Sequence, residues 1–561
     1  MTLENRIDES TKYHSIGSEF IAGLSHVAWQ AFQLLNRFLP EGDAIRPDWA
    51  SRSLLKSYER TTPALGFPRE MDSVCPQCLR EVRGELMKDQ RSPMPGIKAQ
   101  ILEEDGRIII RKSCVKHGES EDILAEDPAF LTRIESLFFG RDFENFQTAL
   151  DQDQESSIKF GRGAVLIVNL NKQPNLVAEF PTEAIESEPT FNDIRDILDR
   201  AATFKPRRQI IVLFTGDDVT KSRYYLDAIS YAKKLGFYRV LSDTNGSRFA
   251  KEIEFCRAAK SAGQHGVYLR FDGVKRKDEV DFRTSLRAID NLASVGMKVT
   301  LVMTVANTVN SQDVGRTVEF AVRNVDKVQT ITFQPICFNG ENGDVNDEVR
   351  IQQRYTLSRL ARDLEEQLGG RLQSLRDWYP LSAYSAFTSV MDMLQGVNAP
   401  WGWSSCNCHP DCGMFTLMVV NKRTSEFTSL FEFFNYEQFV KDVTIITDTA
   451  RSKKLVYAQL GMAILRNFNS EKAPQGFPIS QIINLFKPSS SDTDSRIDDR
   501  TTIAQRDLSE DWRVLCIEAM WYQDPFNYDR KRTEMCVFPY GTKSGEISYC
   551  AYNAGIVCKR N

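Results

Sequence analysis

Cysteines at metal-ligand spacing are the most distinctive chemical feature of this 561-residue sequence. Near the N-terminus, Cys75 and Cys78 form a C-x2-C pair, and Cys114 begins a C-x2-H-G element completed by His117 and Gly118. Three thiols and one imidazole at these spacings predict tetrahedral zinc ligation, with a rubredoxin-like mononuclear iron site as the alternative. His117 is then either the fourth ligand or a turn histidine before Gly118.

A second group of cysteines lies in the C-terminal half. Cys406, Cys408 and Cys412 form a C-x-C-x3-C run, followed at once by Gly413. Such a dense run favours metal ligation, and buried free thiols are the alternative interpretation. The remaining cysteines of the chain are Cys256, Cys337, Cys516, Cys536, Cys550 and Cys558.

The elements that would position these groups are short β-branched runs alternating with helical segments. Such alternation predicts an α/β fold with a parallel sheet and crossover helices, either a barrel or a doubly wound sheet. From residue 210 onward the runs recur at about the 30-residue period of a βαβ unit. The runs are AVLIV (164–168), IIVLF (210–214), RVLS (239–242), VYLRF (267–271), VTLVMTV (299–305) and ITFQP (331–335).

Polar or glycine-containing segments follow these runs. The carboxyl ends of parallel strands open on one face, so the segments predict a shared ligand or cofactor pocket. Ordinary turn formation by Gly, Asn and Asp is the alternative explanation. The candidate ligand-binding residues are Thr215, Gly216, Asp217, Asp218, Asp243, Thr244, Asn245, Gly246, Asp272 and Gln334.

Composition narrows the class of protein. A formal net charge of -5 and a pI of about 5.8 argue against nucleic acid as the main partner. No apolar run reaches the roughly 20 residues that span a bilayer, and the polar N-terminus is no signal peptide, so we expect a cytoplasmic protein. The apolar spacing of residues 20–39 predicts a packing helix; peripheral membrane contact is the alternative. A polar loop is expected at 489–500.

The predicted organisation has four parts. A helical region (1–70) precedes a cysteine-rich metal module (71–135), a strand–helix repeat (160–340) and a C-terminal α+β extension (341–561). An oligomeric state is not predicted. A small-molecule or lipid-like ligand is the expected partner.

Several segments together resemble the radical SAM (S-adenosylmethionine) superfamily, and within it the tetraether lipid synthase-like branch. The strand ending in T-G-D-D, VLSDTNGSRFA, VYLRFDG, the C-H-P-x-C-G element and the ending MWYQDPFNYDRKRTEMC…YCAYN carry the resemblance, over roughly residues 70–555. It implies a partial (β/α)6 TIM-like barrel and a 5′-deoxyadenosyl radical acting on C–H bonds of lipid-like substrates. It also implies auxiliary [4Fe-4S] clusters held by C-terminal cysteines, with Cys536 and Cys550 in matching segments and Cys516 and Cys558 as candidate fourth ligands.

The sequence departs from this family at the loop that should hold the radical-generating cluster. The family has C-x3-C-x2-C there, whereas Pro174, Ala178 and Pro181 occupy the matching positions. No cysteine lies between Cys114 and Cys256, and neither proline nor alanine can ligate iron. The radical SAM cluster is therefore not expected, while SAM binding remains open.

Three functions are compatible with these features. The first is a divergent form, or pseudoenzyme, that has lost radical initiation and acts by binding, with an active paralogue as a candidate partner. The second is an active radical SAM-type enzyme whose cluster has non-canonical ligands. The third is a metal-dependent enzyme or ligand-binding module that uses carboxylates at the mouth of the barrel. Those carboxylates are Asp217, Asp218, Asp243, Asp272 and Glu179.

Overall fold

The structure is a computed structural model, and two of the predicted segments fall outside the residues it describes. These are the cluster loop beyond Asn171, including Pro174, Ala178, Glu179 and Pro181, and the polar loop at 489–500. Within the predicted helix at 20–39, residues 26–36 are helical. Among the described residues, no helix is both long and apolar enough to cross a membrane. The structure describes residues 23, 26–36, 38, 65–86, 96–138, 158, 163–171, 188–203, 209–273, 279–339, 345–397, 402, 406–485, 511–542 and 545–554.

The cysteine-rich module is a four-stranded antiparallel sheet. Alternate residues of its third strand, such as Ile108 and Ile110, are fully buried, as expected for a sheet with one covered face. Asp127 caps the helix that follows the sheet, because its carboxylate accepts hydrogen bonds from two backbone N–H groups of the first turn. In chain order the elements are β1 (Arg69–Val74), α1 (Pro76–Leu86), β2 (Gly96–Glu104), β3 (Arg107–Cys114), β4 (Gly118–Ala125) and α2 (Pro128–Ser136).

Six parallel strands form the centre of the second sheet, and each overlaps one of the predicted runs. They lie side by side in the order of the chain. The strands are β5 (Val165–Asn169), β6 (Ile211–Thr215), β7 (Arg239–Thr244), β8 (Gly266–Arg270), β9 (Lys298–Val305) and β10 (Val328–Pro335). The helices between them are α3 (Phe191–Thr203), α4 (Tyr225–Lys234), α5 (Ser247–Lys251), α6 (Ile253–Ser261), α7 (Glu279–Ser294) and α8 (Val314–Arg323).

These helices cover one face of the sheet. Val212, Val240, Leu269 and Leu301 point to this face and are fully buried in one apolar cluster with helix residues such as Ile229. We call the opposite face of the parallel strands the inner face.

The C-terminal region extends the same sheet at both edges. β14 (Trp512–Met520) pairs in parallel with β10, and β15 (Pro539–Thr542) pairs in parallel with β5. The sequence predicted a separate extension, because pairing between strands so far apart in the chain leaves no local signal. The other strands are β11 (Tyr379–Pro380), β12 (Gly413–Asn421), β13 (Phe427–Ser429) and β16 (Gly545–Ser548). The helices are α9 (Asp347–Gln353), α10 (Leu357–Gln367), α11 (Ser385–Gln395), α12 (Tyr436–Thr449), α13 (Lys453–Asn467), α14 (Ser480–Leu485), α15 (Arg530–Glu534) and α16 (Tyr549–Asn553).

The sheet is strongly curved. From β14 to β16 there are eight strand-to-strand steps, which would separate these strands by about 38 Å in a flat sheet. Yet the ring of Tyr522, just after β14, lies 4.8 Å from that of Tyr549, just after β16. The backbone N–H of Gln523 also donates to the thiol of Cys550 at 3.4 Å. The two ends of the sheet therefore approach each other.

A buried ion network joins the N-terminal sheet to the rest of the protein. The guanidinium of Arg354 contacts Asp122 of β4 on one side and Asp524, which follows β14, on the other. Its Nη1 donates to Asp524 at 2.7 Å and its Nε to Asp122 at 3.0 Å. Arg350 adds a second contact to Asp122 at 2.9 Å. These side chains are almost completely buried, so the network fixes how the module docks.

Candidate functional site

Cys75, Cys78, Cys114 and His117 converge in the N-terminal module. The first two flank the start of α1, the third ends β3, and His117 lies in the turn before β4. His117 Nδ1 is 3.5 Å from the sulfur of Cys75, 3.2 Å from that of Cys78 and 3.8 Å from that of Cys114. Tetrahedral zinc with bonds of about 2.3 Å to sulfur and about 2.0 Å to nitrogen separates its ligand atoms by about 3.5–3.8 Å. The four residues therefore fit a single zinc ion.

The surroundings of these four residues also suit a cation. His117 Nε2 lies 3.1 Å from a carboxylate oxygen of Glu81. In many metal sites a carboxylate in this position orients the metal-bound histidine. Burial and the neighbouring thiols raise the pKa of Cys78 to about 12, so the three sulfurs resist ionising together without a cation. Burial has the same effect at Cys114, but the backbone N–H groups of His117 and Lys116 outweigh it and lower the pKa of Cys114 to about 6.

Four C-terminal cysteines form a second cluster. Cys408 and Cys412 come from the segment before β12, Cys536 from the segment before β15, and Cys550 from α16. A hydrogen bond to Cys412, burial and the nearby Cys406 and Cys536 raise the pKa of the Cys408 thiol. Burial, Cys536 and Cys412 likewise raise the pKa of Cys550 to about 12. We call these four residues the C-terminal cysteine cluster.

One cation lies beside this cluster. Arg532 donates to the backbone oxygens of Trp521 and Asp411 at 2.9 and 3.1 Å, and its charge lies close to Cys412. A hydrogen bond from Cys408 and the guanidinium of Arg532 lower the pKa of Cys412 to about 7. The arrangement stabilises thiolate, the form that ligates iron.

Cys406 has a different main neighbour. Burial and the carboxylate of Glu518 raise the pKa of the Cys406 thiol to about 12. Its side chain is also partly exposed, unlike that of Cys408. Cys406 nevertheless lies close enough to Cys408 to raise the pKa of that thiol, so it adjoins the C-terminal cysteine cluster, while its own strongest electrostatic contact is with Glu518.

At the carboxyl ends of β5 and β6, Asn171 and Gly216 fit closely together. Asn171 Nδ2 donates to the carbonyl of Asp218 at 2.7 Å, and its Oδ1 accepts from the N–H of Asp217 at 3.1 Å. A Cβ on Gly216 would lie 1.8 Å from Asn171 Oδ1. Gly216 is a predicted ligand-binding residue, and its lack of a side chain makes room for Asn171.

Asp243 is engaged by a residue that the sequence interpretation did not single out. Both of its carboxylate oxygens lie 3.3 Å from nitrogens of Arg270, at the end of β8, and Thr215 also donates to it at 3.4 Å. Arg270 further donates to the carbonyl of Gly216 at 2.8 Å. These hydrogen bonds connect the carboxyl ends of the three neighbouring strands β6, β7 and β8. An arginine at the end of an otherwise apolar strand was the available signal.

The other predicted strand-end residues mostly shape turns. Asp218 caps a short helical turn, and Thr244 and Asn245 accept hydrogen bonds from backbone N–H groups within two residues. Gly246 adopts φ of 78° and packs against Leu269, where a Cβ would lie 2.6 Å from a methyl carbon. Turn formation therefore accounts for these residues.

Among the described residues, the predicted carboxylates do not converge on one point, and Glu179 lies outside those residues. Asp217 faces Lys221 at 3.7 Å, Asp272 is exposed just after β8, and Asp243 is paired with Arg270. Among the described residues, the N-terminal set of three cysteines and one histidine is the only group of three or more His, Cys, Asp or Glu residues close enough for a single ion.

Two polar residues, Gln334 and Glu518, lie on the inner face of the sheet. Gln334 is 7% exposed, and its Oε1 has no hydrogen-bond partner among the described residues. Glu518, in the middle of β14, accepts a hydrogen bond from Thr332 at 2.7 Å, and burial raises its pKa. Sequence reasoning missed Glu518, for which the available signal was a single carboxylate within an apolar strand.

Two family models match this chain. Residues 67–126 match the HMPTM N-terminal zinc ribbon domain, and residues 180–321 match the radical SAM superfamily. The chain is 26% identical over 508 residues to 7,8-dihydro-6-hydroxymethylpterin dimethyltransferase of Methanocaldococcus jannaschii, which covers 86% of this chain and 92% of that protein.

Solved structures give a more distant likeness. SuiB of Streptococcus suis, bound to its precursor peptide SuiA or to S-adenosylmethionine, is 13% identical. The match covers 48% of this chain and 67% or 68% of SuiB, with a TM-score of 0.29. That score is too low to support an argument. The family models nevertheless agree with the geometry of the N-terminal site and with the parallel sheet, and the chain therefore contains a radical SAM superfamily domain preceded by a zinc ribbon.

Proposed function

We propose that this protein binds a small molecule on a radical SAM fold and does not start radical chemistry from the usual loop. One observation carries the proposal: the chain has no cysteine between Cys114 and Cys256, so the segment after β5 offers none of the three thiolates that such a cluster needs. The residues present do not fit the radical-generating cluster.

The fold we propose is a partial barrel. Parallel strands in sequential order with right-handed crossovers place all their helices on one side of the sheet. The approach of Tyr522 to Tyr549 shows how far the sheet bends. The carboxyl ends of the strands then surround one opening, where Asn171, Asp243 and Arg270 form a rigid rim.

We infer that two metal sites remain. The N-terminal residues would hold zinc, which supplies no redox chemistry and holds the ribbon together. The C-terminal cysteine cluster fits an auxiliary iron–sulfur cluster, because three buried thiols, the partly exposed thiol of Cys412 and the cation of Arg532 lie close together there. An iron–sulfur cluster holds its thiolates farther apart than a single zinc ion does. This accounts for the finding that, in the part of the chain that the structure describes, the N-terminal set alone has the spacing of a one-ion site.

A second candidate is an active methyl transfer on a pterin-like substrate. The observation that favours it is the relative from Methanocaldococcus jannaschii, which matches across most of both chains. Radical initiation would then depend on a cluster with other ligands. The lipid-like substrate and the active paralogue remain predictions from the sequence. The carboxylate of Glu518 on the inner face disfavours an acyl chain there, because the chain would leave the polar group without a partner.

Anaerobic reconstitution tests the proposal. The wild-type protein is loaded with iron and sulfide, mixed with SAM and dithionite, and assayed for metal content and for 5′-deoxyadenosine. We expect zinc and distal iron but no 5′-deoxyadenosine above a no-protein control. The matched variant Pro174→Cys/Ala178→Cys/Pro181→Cys restores the C-x3-C-x2-C spacing, and we expect about four more iron atoms per chain. SAM-dependent 5′-deoxyadenosine from the wild-type protein would overturn the proposal in favour of the second candidate.

A further inference from the structure

A small cavity lies between the zinc ribbon and the C-terminal region. Its apolar wall comes from the ribbon sheet, from α2 and from the start of α10, and includes Leu124, Phe130 and Leu357. Its polar wall comes from the turn before β12 and from the segment between β14 and the end of α15. The cavity offers about 20 Å³ to the centres of water molecules. Because about 10–15 Å³ of such space holds one water, the cavity accommodates one or two water molecules and no molecule of substrate size.

Three hydrogen-bond donors belong to residues of the polar wall. Trp521, Asn527 and Arg532 line the cavity and are at most 3% exposed. In the described part of the chain, Trp521 Nε1, Asn527 Nδ2 and Arg532 Nε each lack an acceptor. Their side chains are held by other contacts: Asn527 Oδ1 accepts from the N–H of Asp524 at 2.8 Å, and Arg532 Nη2 donates to two backbone carbonyls. Buried donors are normally paired, so these three indicate a bound acceptor.

An acceptor and the balance of charge define the ligand further. Asp411 also lines the cavity, and its Oδ1 has no donor among the described residues, whereas its Oδ2 pairs with Arg69 at 3.3 Å. Asp529 adds a second carboxylate to the wall. An anion would meet these two carboxylates, and a cation would meet the guanidinium of Arg532, so the wall favours a neutral ligand. Water is neutral and both accepts and donates hydrogen bonds, as this mixed set requires.

We propose that this cavity binds one or two ordered water molecules, which accept hydrogen bonds from Trp521, Asn527 and Arg532 and donate to Asp411. The water holds Arg532 through Nε, while Nη2 is held by the carbonyls of Trp521 and Asp411. The charge of Arg532 lies close to Cys412 of the C-terminal cysteine cluster. The bound water therefore fixes the cation that stands beside this cysteine, at the boundary with the zinc ribbon.

A high-resolution crystal structure of the reconstituted full-length protein tests the site directly. We expect an ordered water within hydrogen-bond distance of both Trp521 Nε1 and Arg532 Nε. Electron density for a larger molecule, or a side chain of the protein in the same place, would overturn the inference. A cavity without any ordered density would overturn it as well.

Two matched substitutions test the site in solution. Trp521→Phe removes the indole N–H and keeps an aromatic ring. The control Trp378→Phe makes the same change at a fully buried indole outside the cavity, whose Nε1 likewise has no acceptor among the described residues. If water accepts from Trp521, we expect Trp521→Phe to lower the folding equilibrium constant about 3- to 10-fold more than the control, because only this variant loses a hydrogen bond.

Urea unfolding of the zinc-loaded protein, followed by circular dichroism, measures both equilibrium constants. In a dry cavity, Trp521→Phe would remove an unpaired donor and would cost no more stability than the control. A loss for Trp521→Phe equal to or smaller than that for Trp378→Phe would therefore overturn the inference. If Trp521→Phe does not fold, the crystal structure of the wild-type protein decides the result. The proposed function is judged separately by 5′-deoxyadenosine, whatever the cavity contains.

Discussion

Replacing Arg354 with methionine is expected to be among the most destabilising single changes in this protein. The side chain is fully buried and holds Asp122 of the zinc ribbon and Asp524 of the central sheet at the same time. Methionine has a similar length, so the change removes the charge and its hydrogen bonds and leaves only a small cavity.

The two carboxylates are affected unequally. Asp122 keeps Arg350 as a partner at 2.9 Å, whereas Asp524 keeps neutral hydrogen-bond donors such as the N–H groups of Phe338 and Phe526, and the charge of the buried Lys112 nearby. Removing one partner of a buried ion pair costs about 3–5 kcal/mol, because the remaining charge loses its direct partner. We therefore expect Arg354→Met to lower the free energy of unfolding by about that amount. The double variant Arg354→Met/Asp524→Asn should recover about 2 kcal/mol.

Urea unfolding of the zinc-loaded protein, followed by tryptophan fluorescence, measures both values. The control is Arg257→Met, which removes an ion pair with Glu254 whose side chains are 60% and 76% exposed. That control should cost less than about 1 kcal/mol. A loss for Arg354→Met no larger than for the control would refute the reasoning, as would a double variant less stable than the single one.

Three further predictions follow from the sites. Gly216→Ala places a methyl group on Asn171 Oδ1, so we expect the free energy of unfolding in urea to fall by about 1–3 kcal/mol; an unchanged value would mean that this contact tolerates the methyl group. Cys78→Ser should remove bound zinc, measured by elemental analysis, and expose the ribbon to proteolysis. The control Cys256→Ser changes a buried thiol outside both clusters and should keep the full zinc content. Burial alone would raise the pKa of Asp524, but the charge of Arg354 outweighs burial and lowers this pKa. The ionised Asp524 therefore contributes stability above its unfolded pKa of about 3.9, and this stability is lost as the pH falls through the lower pKa of the folded protein. Urea midpoints between pH 7 and pH 3 should therefore fall less steeply for Asp524→Asn, and parallel curves would contradict this.

The sequence predicted the elements of the fold more fully than their assembly. Each of the six parallel strands overlaps a β-branched run, because burial on both faces requires a nearly continuous apolar segment. The C-x2-C and C-x2-H spacings likewise identified the N-terminal set, since these short segments hold most of the ligand geometry by themselves. Pairing of β14 with β10 and of β15 with β5 could not be predicted, because it joins strands 180 or more residues apart.

The residues of the candidate ligand site were likewise easier to predict from the sequence than their contacts. Residues of the strand ends were identified from sequence, but several of them, such as Asp218 and Asn245, serve local turns, and only the contacts distinguish this role from ligand binding. Glu518 and Arg239 were not identified, because nothing in the local sequence distinguishes them, and only the pairing of strands across the sheet brings them close together.

The sequence itself determined two features: the cluster loop lacks thiolates, and the zinc ribbon has its ligand set. Residue type alone decides whether a segment can ligate metal. The tertiary structure decided which distant cysteines meet, and it decided that Glu518 lies beside Thr332 on the inner face of the sheet. The physical reason is that a local pattern fixes the side of a strand on which a residue lies, whereas curvature and strand order decide what lies opposite it.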